Sequence, residues 1–478
     1  MEEKEGLWWI RVEIDFRKLD LKALYWDLDV IVKKCEEEHI LPVVGNSKRL
    51  KTKLYFLNCE YEVDKENIIV PYFRGGMRLA FFYRTRSEYD GYDIKIREWI
   101  AFAVSKICYS YLKKKRIWLV FEKFCSMAQD SGYYFFRYCM ENLSEEEKKK
   151  IYFVIDKRSP DYENVRQYYK HIIPFMSIKH GIYLLAASIY IGSDSKAHLY
   201  AWRAKPSIIK HKLSRKPIYF LQHGVTALKK VDYLFGKKGS SPMTYFATTS
   251  EFEQKIVIEN FGYLERNAPI TGFTRWDVLC DKQEANKHNI LIMPTWRSWL
   301  EDSGNEAFLN SDYYKNYTEL LSSKRLHRLL KEQQVELIFY LHPKFADYLD
   351  NFKCEYSRIR LIPFGQEPLN ELIMKCSMMI TDYSSVCWEA YYLAKPVIFY
   401  QFDNDKYDRV HGSYIDKETE LFGRRATDLA GLLDQLEDCI SHGFCETPKD
   451  IEDRGRYFKY VDNDNSRRTY EFLIDRKY

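Results

Sequence analysis

No apolar run in this chain is long enough to cross a bilayer. The longest, Ile182–Gly192, is about half of the ~20 residues that a spanning helix needs, so membrane-spanning helices are not expected. No basic stretch followed by an apolar core opens the chain, which begins MEEKEG, and no secretory signal is read there. The 11 cysteines form no CxxC pair and no Cys/His cluster. That argues against a zinc site and against a disulfide framework, and it fits a reducing cytoplasm. Nucleic-acid binding lacks its signature too. The net charge is only +5 and the basic runs, Lys113–Arg116 and Lys229–Lys230, are local. Anionic small substrates or anionic lipid headgroups suit such a balance better than duplex DNA. Low-complexity segments and internal sequence repeats are also missing.

What is present is a soluble, globular composition. Hydrophobic residues make up 46% and charged residues 30% of 478 positions, enough for two or three domains with cores of their own. Aromatics reach 16%, with 39 tyrosines, which points to amphipathic surfaces facing sugar, membrane or a partner. Residues 1–95 read as a β-rich accessory domain: LWWIRVEIDF alternates, KTKLYFLNCEYEV and MRLAFFYRTRSEY follow, and Gly75-Gly76 marks a turn. Residues 96–114 read as a linker helix with lysines at its end, either packed or lying in a membrane interface. From 115 the pattern becomes alternating strands and helices, the mark of a parallel sheet covered on both faces. One such series runs over 115–283 and includes a helix at Ser131–Asn142 and a capping box at Ser250/Glu253. The second spans 284–423, and residues 424–478 read as a helical, charged tail. The expected fold class is α/β, two facing Rossmann-like domains behind a small β-rich N-terminal domain.

The second series contains SMMITDYSSVCWEAYYLAKPVIFYQFD, residues 377–403. It reads as a buried strand, a tight polar turn (Asp382-Tyr383-Ser384-Ser385), a helix and a second buried strand. Such a turn aims backbone N–H groups at one point, where a phosphate would be held. Equally, Asp382, Ser384 or Ser385 simply caps the helix. Other polar clusters also follow apolar strands, where open parallel sheets collect ligands. They are Gln222-His223-Gly224 with Thr226, Lys229 and Lys230, then Thr295-Trp296-Arg297, then His342-Pro343-Lys344. Two histidines, one per domain, thus stand among groups suited to phosphate. Asp403-Asn404-Asp405 has the Asp-x-Asp form that holds a metal–nucleotide pair elsewhere, but acidic triplets also arise in ordinary turns.

QHGVTALKK, MPTWR, HPK and ITDYSSVCWEAYYLAKPVIFYQFDNDKY, with FATTSEFEQ and ITGFTRWDVL between them, resemble the signature segments of the CDP-glycerol glycerophosphotransferase family, the teichoic-acid-type polymerases and primases. The resemblance covers about 115–414 in the correct order. It implies a GT-B fold, a metal-independent site without a cofactor in the interdomain cleft, and peripheral attachment to the cytoplasmic membrane face. The implied partners are CDP-glycerol or a related CDP-alcohol and a lipid-linked polyol-phosphate or glycan acceptor. By the same resemblance His223 and His342 would be catalytic, with His223 as the base. Gly224, Lys229, Lys230, Arg297, Pro343, Lys344, Asp382, Ser384 and Ser385 would bind substrate. The chain departs from the family pattern at Gln222, where Trp is common, at Val225-Thr226-Ala227, where Thr-Pro is common, and at Glu389, where Asp is frequent. Donor alcohol and acceptor therefore stay open, ribitol included. A nucleotide-sugar glycosyltransferase of the same architecture and a catalytically silent polymer-binding scaffold are the alternatives.

Overall fold

The computed structural model describes residues 2–478 except 5–6, 10, 23, 35–36, 46–48, 51–52, 54–58, 202–206, 286 and 302. The chain divides into two compact units. One comprises Met1–Ile117, Ile173–Ala187 and Ala197–Lys216; the other comprises Trp118–Ile172, Ser188–Lys196 and Pro217–Tyr478.

The first unit holds a four-stranded antiparallel sheet in the order Leu24–Asp27, Leu79–Thr85, Asn67–Phe73, Tyr61–Glu62. Its two long strands put Val70 opposite Phe82, and Ile68, Val70 and Phe82 form the buried face, as period-two alternation demands. Arg84 and Asp90 close a buried, bidentate ion pair at 2.6 Å. The strand expected over 51–63 falls largely outside the described residues, and among the described ones 61–62 form strand. Among the described residues of LWWIRVEIDF, only Leu7–Trp9 is strand. Further on, the Asp15 side chain accepts the Arg17 N–H and starts a short 3₁₀ turn, a local bond that competes with extended pairing. The helix Tyr92–Ile107 buries Ile94, Glu98 and Ala101 against the helices Ile178–Ala186 and Ile208–Leu213. A Cβ at Gly181 would come within 2.8 Å of the Ala101 Cβ, so glycine permits the close crossing. Ile96, Trp99, Ile100 and Ile107 stay exposed on the opposite side.

The α/β part of the chain has two six-stranded sheets with parallel pairing. The first has the order Ile172–Pro174, Ile151–Ile155, Trp118–Phe121, Ile189–Gly192, Ile218–Phe220, Tyr245–Phe246. The second has the order Ile359–Ile362, Glu336–Tyr340, Asn289–Ile292, Met378–Thr381, Val397–Tyr400, Arg424–Ala426. Each reads 3-2-1-4-5-6 in chain order, the Rossmann arrangement, so two topological switch points are built. The central strands are buried along their whole length except at Asn289, which opens its strand half-buried, and so they read as continuous apolar runs. Helices expected at Ser131–Asn142 and after Ser250 are present.

Two expectations need correction. Residues 424–426 are not helical: they add the sixth strand of the second sheet, a short edge whose arginines hid its pattern. The tail that follows is helical, and its last helix packs on the first sheet. That helix, Asn465–Asp475, buries Leu473 in the core of the first sheet and sets Tyr470 5.7 Å from Trp118. Nor is there a capping box at Ser250. Ser250 accepts the Glu253 N–H, but the Glu253 carboxylate turns instead to Thr226 and Thr249.

Candidate active site

The strand Ile218–Phe220 ends in a turn that must swing the chain over the edge of the sheet. Gln222 makes that turn in the left-handed region, at φ 62°, a conformation that costs a non-glycine residue on the order of 1 kcal/mol. Its amide compensates: it donates to Ala247 O and to Glu253 Oε1 and accepts from the Thr226 hydroxyl. Glu253 is fully buried and also accepts the N–H groups of Thr226 and Thr249. Burial pushes its carboxyl up to about 7 against those bonds. This polar core positions His223 and Gly224. A Cβ on Gly224 would lie 2.5 Å from Ser385 Oγ, so the first histidine turn touches the serine turn of the second sheet, and only glycine fits there.

His223 stands between two carboxylates. Nδ1 is 3.0 Å from Asp130 Oδ2, and Nε2 is 3.4 Å from Asp194 Oδ2. Asp130 sits at the N-terminal end of the helix Ser131–Asn142, on the loop after the first strand. Asp194 follows the strand Ile189–Gly192; the pair therefore flanks the switch point. Burial alone would lower the imidazolium pKa, but hydrogen bonds and charge from both carboxylates outweigh it and raise it to about 10. The ring is half exposed, and water screens part of that pull. Asp130 is held well below the usual carboxylate range: burial opposes this, and the charges of Arg275 and His223 overcome it. Glu122, almost wholly buried, accepts the N–H groups of Gln129, Asp130 and Tyr133 and thereby sets the loop that carries Asp130. Burial and the neighbouring Asp130 charge push Glu122 up to about 8.

Across the gap the surroundings reverse. His342 follows the strand Glu336–Tyr340, and its Nδ1 accepts the Lys344 N–H at 3.2 Å. That bond leaves the proton on Nε2 in the neutral ring. Burial, then Lys344, Lys123 and Lys229, lower its pKa to about 4, so at neutral pH it is an uncharged N–H donor. Trp296 lies between two cations, with Lys344 Nζ 4.0 Å and Lys229 Nζ 5.2 Å from its ring centre. The N-cap of the next helix, Cys387–Tyr392, is Val386, which makes no side-chain bond, while Ser384 Oγ accepts the Val386 N–H at 3.5 Å.

A cavity of about 260 Å³ joins these groups, lined by His223, Gly224 and Lys229 from one side and His342, Ser384 and Ser385 from the other. The two imidazoles therefore share one space. Lys230 is placed elsewhere: it is exposed, and its stem runs beside Gly412. Pro343 and Lys344 lie exposed at the rim, where Lys344 pairs with Glu301. Arg297 and Asp382, expected to contact substrate, do not reach the cavity. Both are wholly enclosed, and Arg297 Nη1 sits 2.9 Å from Asp382 Oδ2. Its other edge binds Asp403 at 2.7 and 3.0 Å. Asp382 in turn accepts the N–H groups of Thr295 and Tyr383. The physical reason is charge: two carboxylates beneath the turn claim the guanidinium before a phosphate can. Asp403, weighed above as a nucleotide–metal ligand, belongs to the same clamp. Asp130, Asp194, Glu122 and Arg275 were not legible as site residues, because no local pattern marks a carboxylate that reaches a histidine from a distant strand end.

Residues 102–475 match the model of the CDP-Glycerol:Poly(glycerophosphate) glycerophosphotransferase family. The chain belongs to that family. The match extends beyond the 115–414 of the sequence resemblance and takes in the last helix. Among curated relatives, it is 26% identical over 381 residues to the minor teichoic acid biosynthesis protein GgaB of Bacillus subtilis, covering 77% of this chain and 40% of that protein. To the teichoic acid ribitol-phosphate polymerase TarK of Staphylococcus aureus it is 27% identical over 319 residues, covering 62% of this chain and 58% of the relative. The chain thus spans about half the length of these relatives. Among solved structures, one of the wall teichoic acid polymerase TagF superposes with a TM-score of 0.52 at 18% identity, covering 82% of this chain and 98% of that one. The fold is the GT-B type, with an N-terminal antiparallel β region.

Proposed function

We propose that this chain transfers a polyol phosphate, glycerol or ribitol, from a CDP-alcohol to a hydroxyl of a teichoic-acid or capsule-type acceptor and releases CMP. The observation that carries the reading is the single cavity shared by His223, His342, Ser384 and Ser385. The acceptor hydroxyl attacks the phosphorus bearing the donor alcohol, and the bond from that phosphorus to the CMP oxygen breaks. A neutral alcohol needs a base, and His223 Nε2 takes its proton while Asp130 holds Nδ1–H. Because both carboxylates keep the resting ring protonated, Nε2 must first lose its proton, and turnover rises with pH. Charge growing on the departing phosphate is met by His342 Nε2–H, the two serine hydroxyls and the Lys229 ammonium. Arg297, Asp382 and Asp403 support this site from below by holding the 382–385 turn. Pure protein incubated with CDP-glycerol, CDP-ribitol and UDP- or GDP-sugars tests the reading. CMP release with acceptor-dependent product supports it; release of UDP or GDP instead overturns it in favour of a glycosyltransferase.

The same reading places the chain peripherally on the cytoplasmic face of a bacterial membrane, where a lipid-linked acceptor would lie. Among the described residues no helix is long and apolar enough to cross a membrane. In support, the helices Tyr92–Ile107 and Tyr109–Lys114 expose Ile96, Trp99, Ile107, Tyr109 and Tyr111 beside the run Lys113–Arg116. Aromatic rings next to basic residues suit an anionic lipid interface. Sedimentation with anionic vesicles but not with zwitterionic ones is expected, and loss of it in W99S/I107S checks the surface.

A further inference from the structure

The connecting segment Ile270–Leu279 carries a group that reaches both halves of the site. Arg275 Nη1 donates to Asp130 Oδ1 at 3.0 Å, and its Nε donates to Glu389 Oε1 at 2.8 Å, with Nη2 on the same oxygen. Asp130 uses its other oxygen for His223. Glu389 lies on the helix Cys387–Tyr392, directly behind Ser384 and Ser385, and is nearly buried. An unbroken line of charge-assisted bonds therefore runs Glu389–Arg275–Asp130–His223. The segment around Arg275 is itself held firmly. Thr274 Oγ1 donates to Ser131 O at 2.6 Å, the Asp277 carboxylate accepts the N–H groups of Asn465 and Ser466, and Trp276 packs 4.9 Å from Tyr392. A guanidinium held by two carboxylates on an anchored segment does not relax to another partner, so it transmits displacement rather than absorbing it.

We propose that Arg275 and Glu389 are positioning residues that couple the serine turn of the second sheet to the base of the first. The helix Cys387–Tyr392 presents Glu389, Glu389 sets the guanidinium, and the guanidinium sets the charge and orientation of Asp130. His223 reads that state through Nδ1. The inference rests on His223 acting as the base.

The groups facing His223 are Asp130 and Asp194 directly, and Arg275, Glu389 and Glu122 through Asp130. The test is the pH profile of kcat/KM for the CDP-alcohol, followed with R275Q, R275K and E389Q. Removing the Arg275 cation leaves Asp130 uncompensated, which strengthens its hold on the imidazolium. In R275Q the ascending limb therefore moves to higher pH by about one unit, a roughly tenfold loss at a fixed pH on that limb. E389Q frees the guanidinium for Asp130 and moves the limb the other way. R275K keeps the charge without the fork, so kcat falls while the limb stays. A fall in kcat with unmoved limbs in both R275Q and E389Q, or shifts of the same sign, overturns the coupling. Should R275Q fail to fold by circular dichroism, E389Q decides alone: a limb moved to lower pH supports the proposal and an unmoved one overturns it. Failure of the underlying reading looks different, because H223N would then keep the wild-type limb.

Discussion

The two histidines follow different strands of two sheets with the same topology, His223 the fifth and His342 the second in chain order, and their surroundings are opposite. His223 is flanked by Asp130 and Asp194 and driven up to about 10; His342 is half-buried near Lys344, Lys123 and Lys229 and driven down to about 4. At neutral pH one ring is a cation that must shed a proton and the other a neutral donor that keeps one. Position on the fold makes each imidazole available to the cleft, but the charges on neighbouring loops decide what it does there. The same contrast separates the cations. Lys229 lines the cavity, whereas Arg297, enclosed between Asp382 and Asp403, serves structure.

That contrast can be broken at several points. The largest effect is expected for H223A, where CMP release should drop by about 10²–10⁴-fold, the range for a lost general base; turnover within a few-fold of wild type would remove the base assignment. R297M leaves Asp382 and Asp403 buried without a counter-ion. It should cost about 3–5 kcal/mol in urea unfolding, more than any direct phosphate contact at that position would predict. H342A removes one donor to the developing charge and should lower kcat by about 10²–10³-fold, with the ascending pH limb unmoved because that ring is already neutral. A limb that moves would contradict its assigned state. D194N gives the finest test. It removes the anion beside Nε2, so the His223 pKa falls and the ascending limb moves to lower pH by about 1–3 units, opposite in sign to R275Q. The His223 ring nitrogen shifts in NMR titration would report the same change independently.

Much of the architecture was legible in the sequence because it depends on local periodicity. Runs such as Ile151–Ile155 and Val397–Tyr400 could only be strands covered on both faces, and the helix Ser131–Asn142 begins where Asp130 accepts the Ser131 N–H. The short strand Arg424–Ala426 was not, since three residues with two arginines carry no apolar signal. Glu253 was misread for a related reason. Its spacing from Ser250 fits a capping box, but a buried turn 27 residues earlier offers its carboxylate a better donor at Thr226.

At the site, sequence alone singled out His223, His342, Gly224, Lys229, Ser384 and Ser385, because strand-end position and residue chemistry are both written locally. Only the tertiary structure decided their electrostatics. Asp130 and Asp194 reach His223 from separate loops. Arg275 joins Asp130, 145 positions before it, to Glu389, 114 positions after it, and Arg297 is claimed by carboxylates 85 and 106 positions on. Coulombic attraction and desolvation depend on distance through space, and distance through space is what a linear order of residues does not contain.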